Sequence, residues 1–169
     1  MDKKGQIISN DLIFGLLIFI FVLSLFFVSY NLLLIRSFSY VQFEDMKIAS
    51  VPAMQALAHS PGEPNNWEEF GDLNNVSSIG LVSSRNDLGQ AKIDMIQDFN
   101  ALHYWKIKEL LGIAKYDFHA EIINLQDNQQ LAEFGISPDQ NALVSSSTAI
   151  SNLDGKKVKI LLKVFQNGG

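Results

Sequence analysis

The sequence predicts an α+β fold. A long N-terminal helix, apolar all round in its first half and amphipathic in its second, packs on a small antiparallel sheet together with a second helix. Three observations carry this expectation. A run of 24 uncharged residues extends from Leu12 to Ile35, apolar residues recur at helical spacing between Gly89 and Leu111, and from Tyr116 onward they alternate with polar ones.

At about 1.5 Å per residue, a helix over Leu12–Ile35 reaches about 36 Å and can cross a hydrocarbon core of about 30 Å. Soluble core helices are rarely so long or so apolar on every face. Lys3 and Lys4 precede the run, whereas Arg36 stands alone just after it, so the positive-inside bias keeps the N-terminus cytoplasmic and places the rest outside, with a single pass through the cell membrane. Setting aside the two lysines and two aspartates that precede Arg36 leaves 11 basic and 16 acidic residues, so the outer part carries the whole net charge of -5. Such an acidic surface argues against nucleic acid as a partner. Cysteine is absent, which excludes disulfides, thiolate metal cages and a cysteine nucleophile.

The chain start departs from an ordinary secretory signal. Its basic pair and a glycine, Lys3-Lys4-Gly5-Gln6, stand before the apolar run, so a cut there removes a short cytoplasmic stub and leaves the helix attached. A glycine lets the backbone extend into a protease site without a Cβ in the way, and the lysines hold it at the inner membrane face. In Lys4-Gly5-Gln6, Asp11 and the helix that follows, the sequence resembles archaeal type IV pilin-like proteins with class III signal peptides. The resemblance implies cleavage by a prepilin peptidase between Gly5 and Gln6, and retention of a helix that first anchors the subunit and later packs with other pilin-like subunits in a filament. It also implies an assembly role for the acid at the head of the helix. Counted from Gln6, Asp11 is the sixth residue, one later than the family's fifth. A carboxylate at the edge of the apolar run has a natural partner in the positive N-terminal end of a neighbouring helix, and as an interfacial N-cap it would serve its own.

Within the span, Phe14, Phe19, Phe21, Phe26, Phe27 and Tyr30 give a rough surface on which helices can interlock, while Gly15, Ser24 and Ser29 form no clean small-xxx-small motif. Beyond it, Phe38, Val41, Met46, Ile48, Val51, Met54 and Leu57 continue an approximate stripe, so the helix is expected to run to about Leu57 with Pro52 as its kink point. In His59-Ser60-Pro61-Gly62-Glu63-Pro64-Asn65-Asn66-Trp67, two prolines and a glycine disfavour regular structure. This Pro-Gly-x-Pro-x-x-Trp loop is similar to loops of archaeal pilin-like membrane proteins. Trp67 either contacts a partner from an exposed loop or plugs the domain core. Asn75-Val76-Ser77 is the one N-glycosylation sequon, in a polar loop.

The second helix carries Ile93, Ile96, Phe99, Ile107 and Leu110 on one face and ends at Gly112; His103 shares that face, and Tyr104 and Trp105 flank it, wedged against the sheet. Tyr116, Phe118, Ala120 and Ile122 alternate with Asp117, His119 and Glu121 as a strand wet on one side. Ala142–Ile150 is a second strand, and Asn152-Leu153-Asp154-Gly155 turns into a third, whose lysines 157, 159 and 163 discourage edge pairing. With a short strand around Ile79–Val82 the sheet has three or four strands.

No catalytic constellation emerges. His59, His103 and His119 lack metal-ligand spacing, no phosphate-cradling glycine loop or GxSxG is present, and the carboxylate pairs Glu44-Asp45 and Glu68-Glu69 read as solvated surface. The expectation is a non-enzyme without cofactor or metal. Its organisation is a signal peptide at residues 1–5, a transmembrane assembly helix at 6–35, an amphipathic continuation at 36–60 and an α+β head at 61–169. Its role is that of a structural subunit, major or minor, of a surface filament. The alternative is an unprocessed single-pass protein whose outer domain binds a ligand or partner.

Overall fold

The computed structural model describes residues 4–84 and 87–167; the side chains of residues 4–10, 35, 36, 38 and 39 fall outside that description. The elements run α1 (Lys4–His59), β1 (Gly62–Glu63), a 3-10 turn (Trp67–Glu69), β2 (Ser78–Ile79), β3 (Val82–Ser84), β4 (Asp87–Leu88), α2 (Gln90–Leu110), β5 (Asp117–Asn124), β6 (Gln130–Gly135), β7 (Leu143–Leu153) and β8 (Lys156–Gln166). The chain divides into two compact units, Met1–Gln42 and Phe43–Gly169.

The first unit is helical. Asp11–Leu34 is long and apolar enough to cross a membrane, with a mean hydropathy of 2.9, and every residue in it is exposed. Two of its polar side chains bond back to the helix: Ser24 Oγ donates to Ile20 O at 2.8 Å, and Asn31 Nδ2 donates to Phe27 O at 2.8 Å. Such back-bonding lowers the cost of placing these two side chains in an apolar environment.

The second unit is built on a six-stranded sheet in the order β3-β4-β7-β8-β5-β6, with β1 and β2 as a separate two-stranded ladder. The small, wholly antiparallel sheet expected from sequence is corrected on two counts: it is larger, and β4 pairs with β7 in parallel. The additions are strands too short to show a period, β3 and β4, and β6, which pairs antiparallel with β5. The strand expected around Ile79–Val82 is two strands in different sheets, divided at Gly80 and Leu81. The loop expected to lack regular structure contributes β1 to the ladder with β2.

The Asp154-Gly155 turn forms as expected. Both residues have positive φ, +50° and +77°, which suits the right-handed twist of the β7–β8 hairpin. However, β8 is a central strand between β7 and β5, so its lysines guard no edge.

The core gathers Phe118, Ala120 and Ile122 of β5, the alternating residues from Val158 to Val164 of β8, Ile93, Ile96, Phe99 and Ile107 of α2, and one face of α1. That face is Met46, Ser50, Ala53, Met54, Leu57 and Ala58, at helical spacing, and α1 continues through Pro52 as one element. It differs from the stripe read in the sequence. Val41, Ile48 and Val51 are exposed, Ile48 by 69%. The reason is steric: the inward side chains of β7 include Ser145, Ser147, Ala149 and Ser151, and small residues on both partners let helix and strand approach closely. Ser50 Oγ lies 2.9 Å from Ser147 Oγ.

The end of α1 is capped by the chain that returns to it. Leu81 N donates to Leu57 O at 3.1 Å and Val82 N to Ser60 O at 3.1 Å, covering carbonyls that the helix terminus leaves free. The crossing is so close that a Cβ on Gly80 would stand 2.1 Å from Ser60 O.

Helix α2 ends as its glycine foretold, with Gly112 at φ +72°, Gly112 N bonded to Glu109 O and Ile113 N to Lys108 O. Tyr104 is wedged against the sheet, stacked on Phe118 at 5.3 Å and accepting from Phe118 N at 3.0 Å. Burial pushes its hydroxyl pKa well above the ordinary phenol range. Trp105 is not wedged: it is 66% exposed, with Lys106 Nζ 5.8 Å over its ring. Just before them the helix departs from regular geometry at His103, φ −130°, whose ring meets Phe99 edge-on.

Candidate functional site

Of the residues singled out for processing, Lys3 lies outside the described residues, and so do the side chains of Lys4 and Gln6; the backbone from Lys4 onward, Gly5 included, is helical. Asp11 is exposed at the head of the apolar segment, one helical residue before Leu12. Asn75 is exposed in a turn, between the buried Leu73 and Val76, so the sequon's amide faces solvent as glycosylation requires.

The Pro61–Trp67 loop is a closed device. Trp67 is fully buried, and its Nε1 donates to Gly80 O at 3.0 Å. The reading of Trp67 as part of a partner-binding loop is therefore corrected: the indole belongs to the core and ties the loop to the chain segment that caps α1. Beneath the loop sits Lys92, at 2% exposure one of the most deeply buried side chains. Its ammonium donates to Pro61 O at 2.5 Å and to Asn65 O at 2.6 Å, and lies 3.5 Å from Glu68 Oε2. The two carbonyls take two of the ammonium's three donors, and Glu68, whose Oε2 is buried without a hydrogen bond, supplies the opposite charge. The Trp67 ring centroid is 6.0 Å away. A lysine so occupied offers no free lone pair for catalysis; from the buried face of α2 it pins two carbonyls of the proline-rich loop.

Lys92 was legible only in retrospect. Its spacing to Ile96 and Phe99 places it on the apolar face of α2, a position where lysine needs partners.

On the opposite face of the sheet, His119, expected on a wet side, is buried. Its Nε2 is 3.0 Å from Glu121 Oε1 and 3.7 Å from Glu133 Oε1, and Lys163 Nζ donates to Glu121 Oε1 at 2.7 Å. Phe165, fully buried on β8, stands outside the main core cluster. Among the described residues no group of His, Cys, Asp and Glu is arranged to hold a metal ion.

The hydrogen bond from Lys163 holds the Glu121 carboxyl below the usual carboxylate range, against the opposing effect of burial. A depressed folded-state pKa stabilises the fold above the unfolded value of about 4.3, and that contribution is lost as pH falls through the folded value. Lys163→Met is accordingly expected to lower the melting temperature at pH 7 slightly, by the equivalent of about 1 kcal/mol or less, with the gap to the parent closing below about pH 4. Thermal melts of both proteins from pH 3 to 8 check this; a gap independent of pH excludes the assignment.

No family model, no curated protein and no solved structure matches the chain.

Proposed function

We propose that the protein is a structural subunit, major or minor, of an archaeal type IV pilus-like surface filament, anchored in the membrane by its N-terminal helix before assembly. The observation that carries the reading is the exposure of the whole of Asp11–Leu34: a helix of 24 residues with a mean hydropathy of 2.9 and no cover from its own chain demands lipid or other helices around it. Both demands are met in turn by a subunit that waits in the membrane and then packs helix to helix. Its aromatic residues supply interlocking surface; Phe26 stacks on Tyr30 at 6.3 Å, which leaves a ridge on one side of the helix.

In this reading a prepilin peptidase cuts after Gly5, the lysines Lys3 and Lys4 hold the scissile bond at the inner membrane face, and Gln6 becomes the new terminus. Asp11 pairs with the positive N-terminal end of a neighbouring helix and sets axial register. The acidic head stays outside the membrane and takes no part in catalysis. Self-repulsion between heads of net charge -5 favours ordered packing through the helices over random association.

Protein taken from the native membrane is expected to begin at Gln6 when its N-terminus is sequenced and its intact mass measured. Retention of Met1–Gly5 in every molecule overturns the processed-subunit reading. Electron microscopy of sheared surface filaments then separates a major from a minor subunit.

A further inference from the structure

The two long edges of the sheet in the head are treated differently. On β6 the exposed backbone is closed by side chains from α2: Asn100 Nδ2 donates to Gly135 O at 3.2 Å, Gly135 N donates back to Asn100 Oδ1 at 2.9 Å, and Gln97 Nε2 donates to Glu133 O at 3.1 Å. An amide side chain that both gives and takes imitates a neighbouring strand, a known way of blunting an edge.

Among the described residues no such cover exists on β7. Strand β8 pairs with it from Leu143 to Leu153, but β4, on its other side, pairs with Asn152 and Leu153 alone. Because the turn to β8 has two residues, Leu153 and Lys156 exchange both backbone bonds, and bonding alternates from there. The odd-numbered residues of β7 face β8, while Val144, Ser146 and Thr148 turn their N–H and C=O groups outward. Among the described residues no strand, turn or side chain bonds those outward groups. Beside this edge runs a groove of about 330 Å³, lined by Val51, Met54, Gln55 and His59 of α1 and by Ser147 and Thr148.

We propose that an extended, uncharged segment of a partner protein adds to β7 as a strand along Val144–Thr148, its alternate side chains entering the groove beside α1. The backbone sets the form of the occupant, since a row of outward N–H and C=O groups at strand spacing is met by another strand. Charge sets its composition. The chain has 13 basic and 18 acidic residues, yet none lies in Leu143–Leu153 or in the groove lining, so a charged side chain placed there would be buried without a counter-ion. The line of the sheet sets its place: the added strand continues the row that β4 begins at Asn152.

The test uses the full-length protein in lipid nanodiscs and, as probe, a capped fluorescent peptide with the neutral sequence of residues 143–151. Saturable anisotropy is expected, together with slowed amide exchange in β7 read by mass spectrometry. The same peptide N-methylated at alternate residues, which cannot pair as a strand, is expected to bind at least about tenfold more weakly. Thr148→Pro removes one outward N–H and leaves the inward ladder intact; Val51→Lys puts a charge at the groove from an exposed helix position and leaves the core untouched. Both variants are expected to lose binding by a similar factor. No binding at millimolar peptide, equal binding of the N-methylated peptide, or unchanged binding by Val51→Lys overturns the proposal. Protection of β7 that rises with protein concentration without peptide assigns the edge to a second copy, and equally overturns a partner segment.

Discussion

Lys92→Met is expected to destabilise the head by about 3 kcal/mol, a large part of the 5–15 kcal/mol typical of a domain. Methionine retains the length of the buried stem but supplies no donor, so Pro61 O and Asn65 O lose their partner and Glu68 faces an apolar side chain. A carbonyl left unpaired costs about 1–3 kcal/mol when water cannot replace the donor, less for these part-buried ones, and the carboxylate escapes part of its share because it retains some solvent access. Chemical denaturation of the detergent-solubilised protein, followed by circular dichroism, measures the loss. Pairing the change with Glu68→Met is expected to recover part of it, because removing both members of a buried ion pair costs less than removing one. A loss below about 1 kcal/mol for Lys92→Met alone would show that the ammonium is not what closes the loop.

Trp67→Ala is expected to cost about 3–5 kcal/mol, the range for emptying a large aromatic site in a core. The indole is fully buried, and its removal takes away the bond from Nε1 to Gly80 O as well as the packing. Trp67→Phe separates the two contributions, keeping most of the ring while leaving the Gly80 carbonyl without its donor, for an expected loss of about 1–2 kcal/mol. If Trp67 served a partner rather than the fold, Trp67→Ala would leave the denaturation midpoint where it is. The two predictions are coupled, since Lys92 and Trp67 hold the same loop, with the ammonium 6.0 Å from the indole centroid; their losses should not add in the double variant.

Most of the secondary structure was legible because its signals are local. The apolar run needs only composition, α2 needs only the spacing from Ile93 to Leu110 and a terminal glycine, and the β7–β8 hairpin needs only alternation and Asp154-Gly155. Where the reading failed, a non-local choice had decided. Val41, Ile48 and Val51 are as apolar as Met54 and Leu57, but the buried side of α1 follows Ser50, Ala53 and Ala58, residues whose contribution is small size at a close contact. Trp105 and Tyr104 are neighbours with similar local signals, but successive residues of a helix point about 100° apart, so only one of them meets the sheet. Strands of two or three residues carry no period, so β1 to β4 could not have been counted in advance. The lysines of β8 were sound as a charge pattern and misleading as a position, since strand order is absent from local sequence.

The sequence by itself determined that this chain carries a helix long and apolar enough to cross a membrane, followed by an α+β head without cysteine and with an acidic surface. Those are properties of composition and period, which act residue by residue along the chain. Only the tertiary structure decided that Trp67 points inward, that Lys92 is a buried pin, that His119 is covered, and that β7 keeps an open, uncharged edge beside α1. Each of these depends on which distant segments meet. Hydrogen-bond partners and burial are set by that meeting, and neither is written in the residues on one side of it.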